Sequence, residues 1–168
     1  MMAFKRGYTE KIPSGTESGL TSANIDHLHG TAQFVDGHTL QVGDQQVTGQ
    51  QIVIATGATP NIPDIPGKAA FKTSTDFLNL DELPQRVGFV GAGYVAIELA
   101  NIAVEAGAEV HIFQHNDRLL RNFPQAYTER LKNILTDKGI HFHMNTNVTA
   151  LQETGNDQVK VMTDASDP

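Results

Sequence analysis

The sequence predicts an α/β fold in which a β-rich segment is followed by a parallel sheet with flanking helices. From residue 86 onward, short apolar runs alternate with stretches of helical period in the order strand, helix, strand, helix, strand. Before residue 67, short apolar runs are separated by Gly and Asp turns, which is typical of a β meander. At 168 residues the chain is long enough for one ordinary domain or for parts of two.

The first half of the chain has a polar beginning and a β-like continuation. Residues 1–24 are polar and broken by Pro13, Gly15 and Gly19, so we expect little structure there beyond one short helix. Continuous apolar composition at 51–55 predicts a strand buried on both faces. Prolines between residues 60 and 66 exclude a helix there. Shorter strands are predicted at 33–35, 39–42 and 46–48.

The second half reads as a parallel α/β domain that ends in β structure. Pro124 and Gly139 bracket a helix, because proline is tolerated at a helix start and glycine is preferred just after its end. We therefore predict an incomplete first domain at 1–66, a linker at 67–85 anchored by Leu78, Leu80 and Leu83, and a second domain at 86–168 that is incomplete at its C-terminal end. Its helices are predicted at 94–106 and 124–138, and its strands at 86–90, 109–114, 140–144, 148–152 and 159–162.

Composition excludes several classes of function. A net charge of -7 and the lack of any basic run argue against nucleic-acid binding. The most apolar stretch, Val87 to Ile97, is too short to cross a bilayer, and the N-terminus does not resemble a signal peptide, so we expect a cytoplasmic protein without membrane contact. The chain has no cysteine, so any thiol-disulfide reaction centre must lie outside these residues.

A glycine-rich turn connects the first strand of the second domain to its first helix. In the run Gly91-Ala92-Gly93-Tyr94-Val95-Ala96, the first glycine permits the tight turn and the second leaves bare backbone for a pyrophosphate. Ala96, the third small residue, allows close packing of helix and strand. The N-terminus of the helix then offers free N–H groups to the phosphates. In this strand-turn-helix context the motif predicts a dinucleotide site.

The end of the next strand bears on which nicotinamide cofactor is used. An acidic side chain about 20 residues after the glycines would bind the ribose hydroxyls of NADH, and residues 114–118 place no acid directly at the strand end. Arg118 and Arg121 lie close by, and arginine suits a 2′-phosphate. We therefore predict NADPH rather than NADH. The alternative is that both arginines belong to a solvated loop.

Two histidine pairs have a spacing that metal sites sometimes use. His27 and His29, and likewise His141 and His143, fall on one face of a predicted strand. No third ligand is evident in the sequence, whereas a structural zinc site has four. We therefore expect strand-surface histidines and no metal site.

Taken together, the motifs resemble the class I pyridine nucleotide-disulfide oxidoreductases, the family of glutathione reductase, dihydrolipoamide dehydrogenase and mercuric reductase. The run from Ala55 to Pro60, with Pro63 and the Ile65-Pro66-Gly67 sequence, is similar to the internal flavin-domain signature of these enzymes. The segment from Thr73 to Pro84 resembles their inter-domain connection, and the run from Gly91 to Leu99 resembles their nicotinamide motif. The resemblance covers nearly everything from Asn24 to the C-terminus.

The resemblance implies roles for individual residues. Tyr94 matches a tyrosine that covers the flavin until nicotinamide displaces it, and Glu98 matches a glutamate near the nicotinamide amide, although by spacing alone both are ordinary exposed helix residues. Ala96 and Arg121 resemble the NADPH-using branch, whereas His115 stands where glutathione reductases place a first phosphate-binding arginine. The implied FAD contacts are Gly30, Ala32, Thr56 and Gly57.

The resemblance also implies what the parent protein does. Its members pass hydride from NADPH to FAD and electrons onward to a disulfide, as homodimers. Their first glycine-rich flavin loop, Cys-x4-Cys pair and dimerisation domain have no counterpart in this sequence, so we expect an internal segment that has no reductase activity by itself. Two alternatives remain open: an NADH-dependent relative of the NADH oxidase or coenzyme-A disulfide reductase type, and a non-catalytic nucleotide-binding module.

Overall fold

The computed structural model describes residues 2–155 and 158–165 and divides the chain into two compact units, which meet between Thr59 and Pro60. The helices are α1 (Met2–Thr9), α2 (Ile12–Ser22), α3 (Ser74–Leu78), α4 (Tyr94–Glu105) and α5 (Gln125–Asp137). The strands are β1 (Ala32–Phe34), β2 (Thr39–Val42), β3 (Gln45–Thr48), β4 (Arg86–Val90), β5 (Glu109–Gln114), β6 (Ile140–Met144), β7 (Val148–Gly155) and β8 (Gln158–Thr163).

The first unit begins with two helices, which the sequence did not predict in full. α2 contains the glycines that we took as helix breakers, and Pro13 stands in its first turn, where proline is tolerated. Its Ser and Thr hydroxyls donate back to carbonyls of the preceding turn, as in the bond from the Ser18 hydroxyl to the Ser14 carbonyl (2.8 Å). Neither α1 nor α2 contains a buried residue, so no apolar stripe marks them in the sequence.

Strands β1, β2 and β3 form an antiparallel meander, which confirms the predicted β-rich segment within about a residue at each end. Gly30 precedes β1 with φ +152°, and a Cβ there would lie 2.9 Å from Cγ1 of Val42. Close approach to β2 therefore accounts for this glycine.

The predicted buried strand at 51–55 is wrong for this structure. The segment is irregular, and Val53 and Ile54 are 86% and 70% exposed. A buried strand requires a hydrogen-bonded neighbour on each side, and no strand in the described part of the chain pairs with this segment.

The second unit is built on a parallel sheet in the order β4-β5-β6, with α4 and α5 as the crossover helices. This confirms the predicted α/β, Rossmann-like architecture. Val110 and Ile112 of β5 are fully buried and pack with Ala100 and Ala103 of α4 and with Ile140 of β6. Gly139 ends α5 with φ +100°, as its position predicted.

The segment between the two predicted domains is structured and packs on the second unit. It contains a short 3-10 helix (Lys68–Ala70) and α3, whose capping box joins Thr73 and Asp76 reciprocally. Of the aromatic and leucine side chains here, Phe77 and Leu83 pack against the core, whereas Leu78, which we expected to anchor the linker, is 49% exposed. The proposed domain limits at 66 and 86 remain a prediction.

The antiparallel hairpin β7-β8 completes the described part of the second unit. Its strand β7 contacts the segment that precedes the 3-10 helix, because the N–H of Leu151 donates to the Pro66 carbonyl (2.9 Å). None of the helices within residues 2–155 and 158–165 combines the length and apolar character needed to cross a bilayer.

Candidate dinucleotide-binding site

The glycine-rich turn leads from β4 directly into α4, as the motif predicted. Gly91 has φ +93°, a backbone conformation that favours glycine, and its N–H donates to the Phe113 carbonyl of β5 (2.8 Å). Gly93 is the N-cap of α4 in extended conformation, and its carbonyl accepts the first helical bond, from the Ile97 N–H (3.0 Å). Backbone hydrogen bonds at Gly91 and Gly93 therefore fix both ends of the glycine-rich turn.

The first turn of α4 has backbone N–H donors that are not capped by a side chain of the protein. No side chain caps the helix, and its first turn contains no acidic residue. A Cβ added to Gly91 or to Gly93 would meet no atom within 4 Å, so packing does not explain why Gly93 is a glycine. Free N–H groups facing open space match the requirements of a pyrophosphate. The residues present therefore fit a dinucleotide.

Gln114, the last residue of β5, ties the turn to the loop that follows. Its side chain is buried at 7% exposure, and its Oε1 accepts from the Ala92 N–H (2.9 Å). Its Nε2 donates to Oδ1 of Asn116 (2.8 Å) and to the Arg118 carbonyl (3.1 Å). In the sequence, Gln114 is notable only because no acid stands at the end of the strand. The structure shows that the Gln114 side chain joins the turn to the loop after β5, and we call these three hydrogen bonds the Gln114 clamp.

The loop after β5 packs directly on the glycine turn. The Leu120 N–H donates to the Ala92 carbonyl (3.0 Å), and Leu119 is buried at 2% exposure. Leu120 has φ +49°, which is uncommon for a leucine and indicates a backbone held by its surroundings. Both backbone polar groups of Ala92 are thus occupied by the β5 end and its loop, so this loop borders the turn as the adenosine side of a dinucleotide site would require.

The two arginines of this loop have different surroundings. Arg118 is partly buried: its Nη2 donates to the Phe123 carbonyl (3.1 Å), while its Nε is buried without a hydrogen-bond partner. Arg121 is exposed and makes no hydrogen bond or ion pair within residues 2–155 and 158–165. Arg118 therefore helps to hold the loop, and Arg121 is the arginine available to an anion.

The other predicted nicotinamide-side residues lie on or beside the same turn. Tyr94 and Glu98 stand one helical turn apart on α4, and both are exposed. Ala96 is half-buried in the first turn of α4. His115 is exposed, with its Nε2 3.1 Å from Nδ2 of Asn116. Their roles toward a cofactor stay predictions.

The predicted FAD contacts all belong to the first unit, and they do not share one local structure. Gly30 and Ala32 flank the start of the meander. Thr56 and Gly57 lie in the exposed irregular segment after residue 51, where Gly57 has φ +76°.

The histidine pairs differ from each other in the structure. His141 and His143 lie on β6 as predicted, whereas His27 and His29 precede β1 in an irregular segment, so their assignment to a strand was wrong. On the sheet, Nδ1 of His111 is 2.9 Å from Nε2 of His143, and the His111 ring stacks on His141 with centroids 4.9 Å apart. Burial, and then the neighbouring His111 and His141, lower the pKa of His143 below its ordinary value.

A glutamate lies beside the three histidines of the sheet. Oε1 of Glu109 lies 3.1 Å from Nε2 of His111, and that contact is the main reason that the pKa of Glu109 is lowered. Glu109 and His111 lie on β5, and His141 and His143 lie on β6.

Comparison with known proteins agrees with this geometry. The chain is 35% identical to a mercuric reductase of Staphylococcus aureus over 133 residues, which cover 78% of this chain and 24% of the relative. It is 28% identical to the chloroplastic/mitochondrial glutathione reductase of Pisum sativum over 163 residues, 97% of this chain and 30% of the relative. The chain thus spans less than a third of the length of these relatives.

Structural comparison gives the same result. The HOCl-induced flavoprotein disulfide reductase RclA of Escherichia coli superposes with a TM-score of 0.87 at 28% identity, over 98% of this chain and 39% of that one.

A family model described as pyridine nucleotide-disulphide oxidoreductase matches residues 4–167. The chain therefore belongs to the pyridine nucleotide-disulphide oxidoreductase family.

Proposed function

We propose that this chain is the nicotinamide dinucleotide-binding segment of an FAD-dependent disulfide oxidoreductase that prefers NADPH. The observation that carries the proposal is the uncapped start of α4, which faces open space at Gly93 and is bordered by the arginine-bearing loop. In the whole protein, which we propose to be a cytoplasmic homodimer, a bound nicotinamide would supply the hydride and a bound flavin would carry its electrons to a disulfide.

The second unit would hold the nicotinamide cofactor. Gly91 and Gly93 leave room for the pyrophosphate, and the first N–H groups of α4 donate to it. Arg121 supplies a charged donor to the 2′-phosphate, with Arg118 holding the loop in position. The Ala92 N–H donates to Gln114 and the Ala92 carbonyl accepts from Leu120, so both backbone polar groups at the centre of the turn are held by the strand end and the loop that follow.

The same helix offers the groups that would meet the reacting ring. Tyr94, 66% exposed at the start of α4, presents an aromatic face that could cover a flavin or give way to nicotinamide. Glu98 lies on the next turn and would accept a hydrogen bond from the nicotinamide amide. In the first unit, Gly30, Ala32, Thr56 and Gly57 are the proposed FAD contacts. The open space beside Gly57 is consistent with close approach of a ligand to its backbone.

The test is a calorimetric titration of the chain with NADPH and, separately, with NADH. We expect tighter binding of NADPH, and we expect Arg121→Ala to weaken NADPH binding by about 1–3 kcal/mol, the scale of a lost charge-assisted contact. NADH binding should not change, because NADH lacks the 2′-phosphate.

Arg130→Ala is the matched control, since Arg130 is another exposed arginine of the same unit, on α5 rather than on the loop. Equal losses for both cofactors in Arg121→Ala would refute the 2′-phosphate role. Tighter NADH binding by the unaltered chain would favour an NADH-dependent member of the family.

A further inference from the structure

Three side chains with metal-ligand atoms converge in the first unit, and none of them is among the residues proposed to bind the nicotinamide cofactor. They are Glu17 on α2 and His27 and His29 in the segment before β1, and one ligand atom from each lies within 4.8 Å of the other two. Nε2 of His29 is 3.0 Å from Oε1 of Glu17. The rings of His27 and His29 stand edge to face, with centroids 5.7 Å apart.

The backbone explains why these residues meet. After α2 ends, the chain turns at Asn24, which has φ +52°, and the Ile25 N–H donates back to the Leu20 carbonyl (2.9 Å). This reversal returns the following residues toward α2, where Glu17 lies almost one turn before Leu20. Sequence spacing gives only the histidine pair, because the carboxylate comes from a helix that the sequence did not predict.

We propose that Glu17, His27 and His29 form a binding site for a divalent first-row transition ion such as Zn²⁺. Two imidazole nitrogens and one carboxylate oxygen are ligands that such ions accept, and three protein ligands leave a fourth position for water. Calcium and magnesium prefer sets made of oxygen atoms, so this donor set disfavours them.

Exposure and charge are compatible with ion entry. The side chains of His29 and Glu17 are 79% and 46% exposed, so an ion reaches them from solvent without an opening motion. The chain has a net charge of -7, which attracts cations. Glu17 and His29 contact each other directly, so their ligand atoms are already close together.

The histidines of the sheet provide an internal comparison. His111 and His143 use ring nitrogens on each other, and the His111 and His141 rings are stacked. The ligand atoms of His111, His141 and His143 do not all lie close enough together to hold one ion. Within the described ranges, Glu17, His27 and His29 are the only group of three that meets this criterion.

The test is a calorimetric titration of the 168-residue chain with zinc chloride, in the unaltered chain and in His27→Ala, His29→Ala and Glu17→Gln. We expect one Zn²⁺ per chain, and a loss of affinity of about tenfold or more when a ligand is removed. His141→Ala and His115→Ala are the controls and should bind Zn²⁺ like the unaltered chain. Far-UV circular dichroism checks that each variant keeps its helices.

A second measurement on the unaltered chain does not depend on variants. Sub-stoichiometric Cu²⁺, a paramagnetic ion that imidazole also binds, should broaden the amide resonances of Glu17, His27 and His29 before those of His111, His141 and His143. Broadening that begins at the sheet histidines would overturn the proposal. So would Zn²⁺ affinity unchanged by His27→Ala and His29→Ala, or no Zn²⁺ binding by the unaltered chain.

Discussion

Gln114 holds the glycine turn and the loop after β5 with a single buried amide. Each polar atom of this side chain has a partner, and those partners belong to Ala92 on one side and to Asn116 and Arg118 on the other. A buried amide that is fully satisfied stabilises a specific backbone arrangement, and removing it leaves the partners unsatisfied. The residue therefore connects the geometry of the proposed site to the stability of the unit.

Replacing Gln114 by Leu should lower the free energy of unfolding by about 1–3 kcal/mol, because the Ala92 N–H and the Arg118 carbonyl lose their partner. Urea unfolding followed by circular dichroism measures this change. Gln125→Leu is the matched control, since the Gln125 amide bonds Glu129 on the exposed face of α5. Equal effects of the two substitutions would contradict the role given to Gln114.

His143 should make the second unit less stable in mild acid. Its pKa is lowered from the ordinary 6.5, first by burial and then by His111 and His141, so the unfolded chain takes up the proton more readily than the folded one. The stabilisation is complete above pH 6.5 and is lost as the pH falls through the lowered folded pKa. A protonated His143 ring also has no acceptor left for a hydrogen bond with Nδ1 of His111.

The check is the pH dependence of the free energy of unfolding between about pH 7.5 and about pH 5.5, the range in which histidine titrates. His143→Gln should flatten this dependence, because glutamine does not titrate, whereas His115→Gln, at an exposed position, should not. A pH dependence in His143→Gln that is as steep as in the unaltered chain, or steeper, would show that the acid sensitivity arises elsewhere.

At the scale of elements, the segment before β4 is held against the hairpin by a close backbone contact. Gly67 has φ +78°, and a Cβ there would collide with the carbonyl oxygen of Leu151 on β7. The Leu151 N–H donates to the neighbouring Pro66 carbonyl. No side chain fits between these two backbones, so the contact depends on glycine.

Gly67→Ala should therefore destabilise the second unit by about 1–3 kcal/mol, from the strained positive φ and the displaced hairpin. Thermal unfolding gives the value. Gly107→Ala isolates the conformational part of the cost, because Gly107 also has positive φ, at +96°, but no atom lies within 4 Å of its Cβ position. If Gly67→Ala lowered the stability no more than Gly107→Ala does, the close backbone contact would not contribute to stability.

Elements were predictable from sequence where local pattern and tertiary packing agree. In the second unit, β4, β5, β6, α4 and α5 have apolar residues that form one core, and Pro124 and Gly139 mark the limits of α5. In the first unit, α2 carries no buried face, so its composition gave no helical signal. The prediction for residues 51–55 was wrong for the opposite reason. Their apolar pattern predicts a buried strand, but none of the described strands pairs with this segment.

The candidate site, like the fold, was predictable from the sequence only in part. The glycine turn follows from spacing alone, because its strand-turn-helix context is local. The Gln114 clamp and the difference between Arg118 and Arg121 depend on contacts from Ala92 to Leu120 and from Arg118 to Phe123, which local patterns do not encode. Glu17 was missed as a partner of the histidines for the same reason.

At the scale of the whole molecule, the proposed cofactors are divided between two units. The residues proposed for FAD belong to the unit that ends at Thr59, and the glycine turn and its loop belong to the unit that begins at Pro60. The turn, the Gln114 side chain and the arginine-bearing loop, which we propose for the nicotinamide cofactor, contact one another directly within the second unit. Because these residues are already held together, we expect the chain itself to bind the cofactor, even though it spans only 24% of the S. aureus mercuric reductase.

The most direct test of a dinucleotide site at the turn is NADPH titration of the unaltered chain and of Gly93→Ala. An alanine at Gly93 meets no protein atom within 4 Å and fits the extended backbone, so the fold and its thermal unfolding should not change. Its methyl group would occupy the space reserved for the pyrophosphate, so NADPH binding should weaken by about tenfold or more. Equal NADPH affinity of Gly93→Ala and the unaltered chain, or no binding by a folded unaltered chain, would contradict the account.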